Sequence, residues 1–392
     1  MTLHTPSTAA ELAAIVTEAR RARTPLAVAG GSTRAGLGRP VQAAATVSTA
    51  KLSGITLYEP AELVIAAKAG TPLREVTETL AARGQRLPFE PMDHRRLLGS
   101  VGEPTVGGVA AANVSGPARI NLGAARDSMI GLKFVNGLGE DVKSGGRVMK
   151  NVTGLDLVKA LAGSHGTLAV FHEVCFKVLP VAEAERTLVI EGLDVAKAVA
   201  ALSAALGSPF EPTGAAHVPA KGADAARTLI RIEGFAASLA YRTDALSKLL
   251  APYGAVSVID GEAGLTLWAD IRDAAIFSDT EEAVWRISVP PSAAPALAER
   301  LAPLAPRLML DWGGGLVWAG IAIGSDAGAK AVHAAAKAAG GHATLIRAPE
   351  VVRGSVDVFA PLATPAMALQ KRIKASFDPD GILNPGRMYR GM

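Results

Sequence analysis

The stretch PLAVAGGSTRAGLG, residues 25–38, leads a short apolar run into a glycine-rich loop. The run LAVA predicts a β-strand at 26–29, and the later segment AATVSTA predicts another strand. The loop therefore runs from strand to strand. A Rossmann-type dinucleotide loop would open a helix with G-x-G-x-x-G spacing, and a Walker loop would need Gly-Lys-Ser/Thr. Neither pattern is present.

What remains is a nest of successive backbone N–H groups, a geometry that binds phosphates. Glycine allows both a close approach to a bound group and a positive φ, and the hydroxyls of Ser32 and Thr33 add donors. A glycine-rich turn without any ligand explains the same residues. The loop by itself leaves both interpretations open.

Composition narrows the class of protein. A chain of 392 residues is long enough for more than one domain. Its 40 basic and 36 acidic residues give a net charge of only +4. The basic clusters RRAR (20–23) and KRIK (371–374) fall on predicted helices, and we interpret them as solvated faces. No aromatic residues interleave with them, so we expect no nucleic-acid partner.

The cysteine count excludes some redox chemistry. One thiol, Cys175, is too few for an iron–sulfur cluster, and its apolar neighbours predict a small buried side chain. We see no signal peptide or transmembrane segment in the sequence. We therefore expect a cytoplasmic protein, with any contact with the inner membrane made through partners.

Local patterns predict the elements of the first half of the chain. Thr8 and Glu11 form a capping box for a helix that ends near Arg23. A hairpin is predicted around Pro60, and a helix capped by Thr71 follows it. Residues 88–125 are glycine-rich and irregular, and strands then alternate with turns up to Pro180.

The second half shows the pattern β-α-β-β-α-β twice, which predicts two ferredoxin-like halves. After them, Thr364 caps a last helix with Pro365 in its first position, and a turn follows at 378–381. The predicted domains are a two-subdomain domain at 1–182, an α+β cap or interface domain at 183–360, and a segment at 361–392 that returns to the first domain.

Four stretches together resemble the flavoprotein family of vanillyl-alcohol oxidase and p-cresol methylhydroxylase. They are the glycine loop, PTVGGVAAAN (104–113), GLDLVKALAGSHGTLAV (154–170) and FDPDGILNPGRM (377–388). The resemblance implies an α+β fold: an FAD-binding domain of two subdomains plus a ferredoxin-like α+β cap. Some members tether FAD through a histidine after the paired glycines. Ser32 stands there in this chain, so non-covalent FAD is implied.

The resemblance also implies which residues surround the cofactor. The pyrophosphate would lie on the first loop, and N–H groups of two separate turns would converge on it. The second loop would line the ribityl region, and the later stretches would hold the flavin or adenine and close over the ring. The implied FAD-binding residues are Ala29, Gly30, Gly31, Ser32, Thr33, Arg34, Ala35, Thr105, Gly107, Gly108, Ala111, Asn113, Gly166, Thr167, Val170, Asn384 and Gly386.

Within this family the chain resembles the smaller FAD-binding subunits of bacterial glycolate oxidases, on the stretches WRISVP (285–290), DWGGGLVWAG (311–320) and KASFDPDGILNPGRM (374–388). That resemblance implies oxidation of a small 2-hydroxy acid, glycolate, to glyoxylate. It also implies a larger catalytic FAD subunit and an iron–sulfur subunit as partners. Two alternatives stay open: a stand-alone, metal-independent hydroxy-acid oxidoreductase, and a structural flavoprotein subunit without catalysis.

The substrate site is harder to locate. Hydroxy-acid-oxidising relatives carry a histidine-rich metal motif in the cap, but the corresponding stretch LDWGGGLVWAG (310–320) contains no histidine, so we expect no metal. Arg286 is the candidate for binding the substrate carboxylate, with an interface salt bridge or a strand-face charge as the alternative. His165 is a candidate for proton transfer, with a packed residue near the cofactor as the alternative.

Overall fold

The computed structural model describes residues 2–146, 155–220 and 225–392. The chain divides into two compact units. The first comprises Met1–Ser115, Gly123–Val181 and Pro361–Met392, and the second comprises Gly116–Leu122 and Ala182–Ala360. The sequence-based division placed 116–122 in the first domain, whereas the structure groups this short segment with the second unit.

Most elements up to residue 181 belong to the first unit, α5 being in the second. In chain order they are β1 (Thr2–His4), α1 (Ala9–Arg21), β2 (Leu26–Ala29), β3 (Ala45–Ser48), β4 (Ile55–Glu59), β5 (Val64–Lys68), α2 (Leu73–Ala81), β6 (Gln85–Arg86), α3 (Arg95–Leu98), α4 (Val106–Ala112), α5 (Arg119–Leu122), α6 (Ala125–Ser128), β7 (Met129–Asn136), β8 (Asp141–Gly145), α7 (Leu157–Leu161), β9 (Ala169–Lys177) and β10 (Leu179–Pro180).

Two sheets organise the first unit. Strands β1, β3 and β2 form a parallel three-stranded sheet, so the first glycine loop joins two neighbouring parallel strands. Strands β4-β5-β9-β7-β8 form an antiparallel five-stranded sheet, which includes the predicted hairpin around Pro60. Cys175 lies buried in this sheet, as predicted.

Both predicted helices, α1 and α2, are present, but only the cap predicted for α1 is correct. Thr8 caps α1, because its Oγ1 accepts a hydrogen bond from the Glu11 N–H at 3.1 Å. The cap predicted for α2 was wrong. That helix begins at Leu73, and the Thr71 hydroxyl instead donates to the carbonyl of Lys68 at 2.6 Å. The reason is that Thr71 is fully buried beside a turn whose carbonyls need a donor.

The segment 88–125 is more regular than the sequence suggested. It holds four short helices, and α4 covers much of the predicted second loop. Thr105 caps the start of α4 through a 3.3 Å bond from the Gly108 N–H to its Oγ1, and Asn113, with a φ of 48°, caps the end. Glycine lowers helix propensity, so packing of the buried Val106 and Val109 has to supply the stability of this helix.

The second unit confirms the repeated pattern. Its elements from residue 182 onward are β11 (Ala184–Glu191), α8 (Val195–Leu206), β12 (Gly214–Val218), β13 (Arg227–Gly234), α9 (Ala236–Leu250), β14 (Val256–Asp260), α10 (Gly261–Arg272), β15 (Ala283–Ser288), α11 (Ala294–Leu301), β16 (Arg307–Asp311), β17 (Leu316–Ile321), α12 (Ala329–Ala338), β18 (His342–Arg347) and α13 (Glu350–Ser355). The eight strands form one sheet in the order β14-β11-β13-β12-β16-β17-β15-β18. Each half has the ferredoxin-like order, and one residue pair, His217 with Leu310, joins them.

The C-terminal segment returns to the first unit. Helix α14 (Thr364–Phe377) has Ala363 at its cap position, so the cap predicted at Thr364 was wrong by one residue. After the turn at 378–381, the chain runs beside β2, where the Leu26 N–H donates to the Ile382 carbonyl at 2.7 Å. This pairing brings the C-terminal motif to the end of β2, where the glycine loop begins.

Candidate cofactor-binding site

A cleft of about 280 Å³ lies in the first unit where the first loop, the start of α4 and the segment before β9 meet. This volume is near the lower end of the roughly 300–1,000 Å³ typical of small-molecule sites, so it suits part of an extended dinucleotide. The predicted residues that line it are Ala29, Gly30, Gly31, Ser32, Thr33, Arg34, Ala35, Thr105, Gly107, Gly108, Ala111, His165 and Gly166.

The first loop leaves its backbone donors open. The N–H groups of residues 30–34 donate no hydrogen bond to any described residue. Ser32 has a φ of 59°, and such left-handed residues turn successive N–H groups toward one point. The positive φ therefore falls on Ser32, whereas neither Gly30 nor Gly31 has one. Five successive open donors beside a cleft form the nest that the sequence suggested.

The two glycines serve close packing. A Cβ atom on Gly31 would lie 1.7 Å from the carbonyl oxygen of Glu103, and one on Gly30 would lie 2.5 Å from Thr105 Oγ1. Any larger residue at these positions would push the first loop away from the segment that precedes α4. The glycines thus determine how near the two loops approach each other.

The second loop contributes no comparable donors. The N–H groups of Val106, Gly107 and Gly108 donate to Thr71 O, Ala69 O and Thr105 Oγ1, at 3.1, 2.8 and 3.3 Å. For these three N–H groups the predicted convergence from two turns is wrong. Val106 and Gly107 donate to carbonyls of the turn between β5 and α2, and Gly108 donates to the cap of its own helix, so this part of the second loop forms a wall of the cleft instead.

Five predicted cofactor residues lie outside the cleft lining: Asn113, Thr167, Val170, Asn384 and Gly386. Asn113 Oδ1 accepts from the Arg126 N–H at 2.9 Å, and Thr167 Oγ1 donates to Ser164 O at 2.7 Å. Val170 is fully buried in the core of the first unit, and Gly386 has a φ of 73° in the C-terminal turn. Their direct contact with a cofactor stays a prediction.

Asn384 ties together two walls of the cleft. Its Oδ1 accepts from the Val28 N–H at 2.9 Å, and its Nδ2 donates to the His165 carbonyl at 2.8 Å. The side chain is buried, and its φ of 42° is unusual for a residue other than glycine. Asn384 thus holds β2 against the segment that precedes β9.

A buried lysine anchors the same segment. Lys374 Nζ donates to Asp378 Oδ2 and to the Thr167 carbonyl at 2.6 Å each, and to the Leu383 carbonyl at 3.0 Å. The interpretation of KRIK as a solvated face was therefore wrong at Lys374, which is 7% exposed. Burial lowers the pKa of Lys374, and the carboxylate of Asp378 opposes that shift. The pair fixes the end of α14 to one wall of the cleft.

Several lining residues were not predicted. Arg387 is one of them, although it lies in the quoted C-terminal stretch; its charge beside the implied phosphate site was the available signal. The others are Ala27, Val28, Thr46, Thr49, Ala69, Ala112, Ala169 and Phe171. Most of these lie on or beside the strands that flank the loops, where the two-residue alternation of strand faces could have identified some of them.

His165 lies in the cleft in a strained conformation, with a φ of 52°. Burial lowers its pKa to about 3, and the nearby positive charge of Arg387 adds to the shift. The imidazole is therefore neutral near pH 7. Such a weak base is poorly suited to hold a proton, so its surroundings favour the packed role over proton transfer.

Arg286 lies in the second unit, on β15. Its guanidinium carbon stands 5.0 Å from the ring centre of Trp312, and that of Arg119 stands 4.8 Å from the same centre. Burial lowers the pKa of Arg286 to about 10; the charge of Arg119 adds to this shift and Asp311 opposes it. The group still carries its charge near pH 7. Its side chain donates no hydrogen bond to a described residue.

Within 2–146, 155–220 and 225–392, no three His, Cys, Asp or Glu side chains are grouped closely enough to hold a metal ion. In the same ranges, none of the helices combines the length and the apolar character that crossing a membrane requires.

Comparison with known proteins identifies the class. Residues 2–145 match the family model described as FAD binding domain, and residues 362–388 match that described as FAD linked oxidases, C-terminal domain. An alkyldihydroxyacetonephosphate synthase structure aligns with a TM-score of 0.67 over 98% of this chain and 76% of its own, at 16% identity, which supports the fold alone. The chain is therefore an FAD-linked oxidoreductase of the two-subdomain type.

The family within that class is shown by full-length similarity. The chain is 34% identical to the glycolate oxidase subunit GlcE of Escherichia coli over 95% of both chains. It belongs to the family of that subunit. The glycolate oxidase subunit GlcD of Bacillus subtilis is 26% identical over 49% of this chain and 40% of its own. The D-lactate dehydrogenase of Archaeoglobus fulgidus is 28% identical over 45% of this chain and 38% of its own.

FAD is the cofactor, and the cleft fits a part of it. The cleft has donors without acceptors in the described chain. They are the five N–H groups of residues 30–34 and the buried Nε of Arg34. The glycines leave room for a close approach to the loop. Donors of this kind suit the phosphate oxygens of FAD.

Proposed function

We propose that this chain is the FAD-binding subunit of a complex that oxidises glycolate to glyoxylate. The observation that carries the proposal is the 34% identity to the E. coli glycolate oxidase subunit over 95% of both chains. Half-length similarity to a second glycolate oxidase subunit and to a D-lactate dehydrogenase supports a small 2-hydroxy acid as the substrate class.

The bound flavin supplies the acceptor for the two electrons that leave with the α-hydrogen of the substrate. The chain's own residues hold that cofactor and exclude other groups from it. The open N–H groups of the first loop bind it, and Lys374 and Asn384 fix the walls of the cleft around it. These groups are held in place before the cofactor arrives, which lowers the cost of binding.

Arg286 is our candidate for binding the substrate carboxylate. Stacking on Trp312 orients the flat guanidinium, and its N–H groups make no hydrogen bond to a described residue. A planar guanidinium of this kind can bind a carboxylate with two parallel hydrogen bonds. Arg119 on the same ring raises the local positive potential, which also favours an anion.

We propose two partner subunits. Electrons have to leave the flavin for the cycle to repeat, and the single cysteine of this chain cannot hold an iron–sulfur cluster. An iron–sulfur subunit would carry the electrons onward, and a larger FAD subunit would carry the main oxidation. The stand-alone enzyme and the structural subunit are the alternatives to this arrangement.

One anaerobic experiment separates the three. The purified chain is loaded with FAD, its flavin spectrum is recorded, and glycolate or D-lactate is added with and without the partner subunits. Bleaching that needs the partners supports the proposal. Bleaching by the isolated chain supports the stand-alone enzyme, and a spectrum that never changes supports the structural subunit.

The role of Arg286 has its own test. Replacing it in Arg286→Ala should raise the dissociation constant for glycolate by about 10- to 100-fold, since a charge-assisted hydrogen bond contributes about 1.5–3 kcal/mol. Arg286→Lys keeps the charge but cannot make two parallel hydrogen bonds. Its dissociation constant for glycolate should therefore lie between those of the wild type and Arg286→Ala. The control is Arg300→Ala on the surface of α11. An unchanged constant in Arg286→Ala removes this residue from the substrate site.

A further inference from the structure

The cleft of the first unit contains two arginines and no carboxylate. Arg34 and Arg387 are lining residues, and none of the lining residues is an aspartate or a glutamate. His165, the other titratable group there, is neutral because burial and Arg387 lower its pKa to about 3. The lining of the cleft thus contributes two positive charges and no negative one.

Arg34 is buried deeply enough for its charge to need an acceptor. It is 8% exposed, its Nη2 donates to the Met92 carbonyl at 3.0 Å, and its Nε has no hydrogen-bond partner in the described chain. A carboxylate acts on it from Asp93, but Asp93 also accepts hydrogen bonds from Arg95 at 2.7–3.1 Å. A buried cation with a spare donor is costly unless an anion completes its surroundings.

The surroundings place Arg34 and Arg387 next to each other. Arg387 Nη2 donates to the main-chain carbonyl of Arg34 at 3.1 Å. On the other side, Arg34 Nη1 lies 3.7 Å from the position that a Cβ on Gly108 would take, so its guanidinium also reaches the second loop. The two arginines and the open N–H groups of residues 30–34 therefore belong to one site.

The chemistry of FAD then selects its occupant. Near pH 7 the flavin ring, the ribityl chain and the adenosine are neutral, and the diphosphate carries the charge. We propose that the guanidinium groups of Arg34 and Arg387 pair with this diphosphate, so that the subunit holds FAD by the charges of the buried Arg34 and the half-buried Arg387 in addition to backbone N–H groups. The inference rests on FAD binding, and it does not depend on which hydroxy acid is oxidised.

The test measures FAD affinity directly, without any turnover. Apo chain is titrated with FAD, and quenching of flavin fluorescence gives the dissociation constant for the wild type, Arg34→Met, Arg387→Met and the double variant. Each single change should weaken FAD binding by about 10- to 100-fold. The matched control is Arg20→Met, because Arg20 pairs with Asp380 at the surface of the same unit.

Charge is separated from shape by two further measurements. Arg34→Lys and Arg387→Lys should bind FAD more tightly than the Met variants, because they keep a positive charge. Raising NaCl from about 50 mM to about 500 mM should weaken the wild type more than the double Met variant, because salt screens charge pairs. Inorganic pyrophosphate should compete with FAD for the wild type and should lose that ability in the double variant.

The outcomes distinguish the failures. A wild-type chain that binds no FAD overturns the cofactor assignment and with it the proposed function. Wild-type FAD binding that both Met variants retain overturns only the arginine pairing. Equal losses in Met and Lys variants with an unchanged salt dependence also overturn it, since they indicate a role in shape. If Arg34→Met fails to fold, Arg387→Met and pyrophosphate competition with the wild type decide the question.

Discussion

In the first unit, buried polar side chains bond to one another. Lys374 makes three hydrogen bonds and Asn384 two, and together they join the C-terminal segment to both walls of the cleft. In the second unit, two polar groups, Arg286 and His217, make fewer hydrogen bonds than these. Arg286 leans on the Trp312 ring, and His217 bonds to Thr228 through one nitrogen while the other has no partner in the described chain.

The difference in hydrogen bonding between Lys374 and Asn384 on one side and Arg286 on the other fits what each group is proposed to bind. A cofactor that stays bound needs walls that do not move, and a fully connected polar network supplies them. In the first unit the cleft gathers several spare donors, namely the N–H groups of residues 30–34 and the Nε of Arg34. An arginine that lies on an aromatic ring without a hydrogen bond to a described residue, as Arg286 does, suits in contrast a small anion that arrives and leaves.

Breaking the network should have the largest effect. Lys374→Met leaves Asp378 as a buried, uncompensated charge and should lower the free energy of unfolding by about 3–5 kcal/mol. Urea unfolding followed by circular dichroism measures this. The control is Lys371→Met on the exposed face of the same helix, which should change stability little.

A double variant sharpens the same prediction. Lys374→Met combined with Asp378→Asn removes both charges and should recover a large part of the lost stability, because the penalty comes from the unpaired carboxylate. The two changes would simply add if Lys374 acted through packing alone, and that result would contradict a paired network.

Closing the nest should have the next largest effect. A methyl group in Gly31→Ala would meet the Glu103 carbonyl, so the first loop has to move away from the second. We expect a loss of about 1–3 kcal/mol in stability and at least a tenfold weaker FAD affinity. Gly36→Ala is the control in the same loop, since its nearest atoms, on Leu98, lie at an ordinary 3.8 Å. Equal FAD affinity in both variants would show that the loop does not need this close approach.

His217 in the second unit should make the stability of the protein depend on pH. Burial lowers the pKa of His217 to about 4, so the unfolded chain binds the proton more readily than the folded one. Stability from this group is therefore present above about pH 6.5 and is lost as the pH falls toward 4. Between pH 7 and pH 5 the loss should be about 2 kcal/mol.

His217→Gln removes this titratable group. The free energy of unfolding of the variant should therefore lose about 2 kcal/mol less between pH 7 and pH 5 than that of the wild type. His333→Gln is the control, because His333 lies in the same unit with a bond to the Asp357 carbonyl at 2.7 Å. A pH profile of stability that is the same for His217→Gln and the wild type would remove His217 as its source.

Local patterns were enough for much of the fold. The two-residue and 3.6-residue periods identified the strands around the first loop, helix α1 and both ferredoxin-like halves, because burial of one face imposes those periods on any sequence. The resemblance of four stretches added the cofactor and the order of the site segments. The loop by itself left a phosphate-binding nest and a plain glycine-rich turn equally open, and only the resemblance favoured the nest.

The sequence by itself thus determined the class of fold and the type of cofactor, and it predicted the loop that would receive the phosphates. Only the tertiary structure decided which donors stay open. The N–H groups of Val106 and Gly107 in the second loop bond to the turn before α2, whereas those of residues 30–34 in the first loop bond to no described residue. The tertiary structure also decided that Lys374 is buried and that Arg387 joins Arg34 in the cleft. The physical reason is that burial and hydrogen-bond partners depend on contacts between segments hundreds of residues apart, which no local pattern encodes.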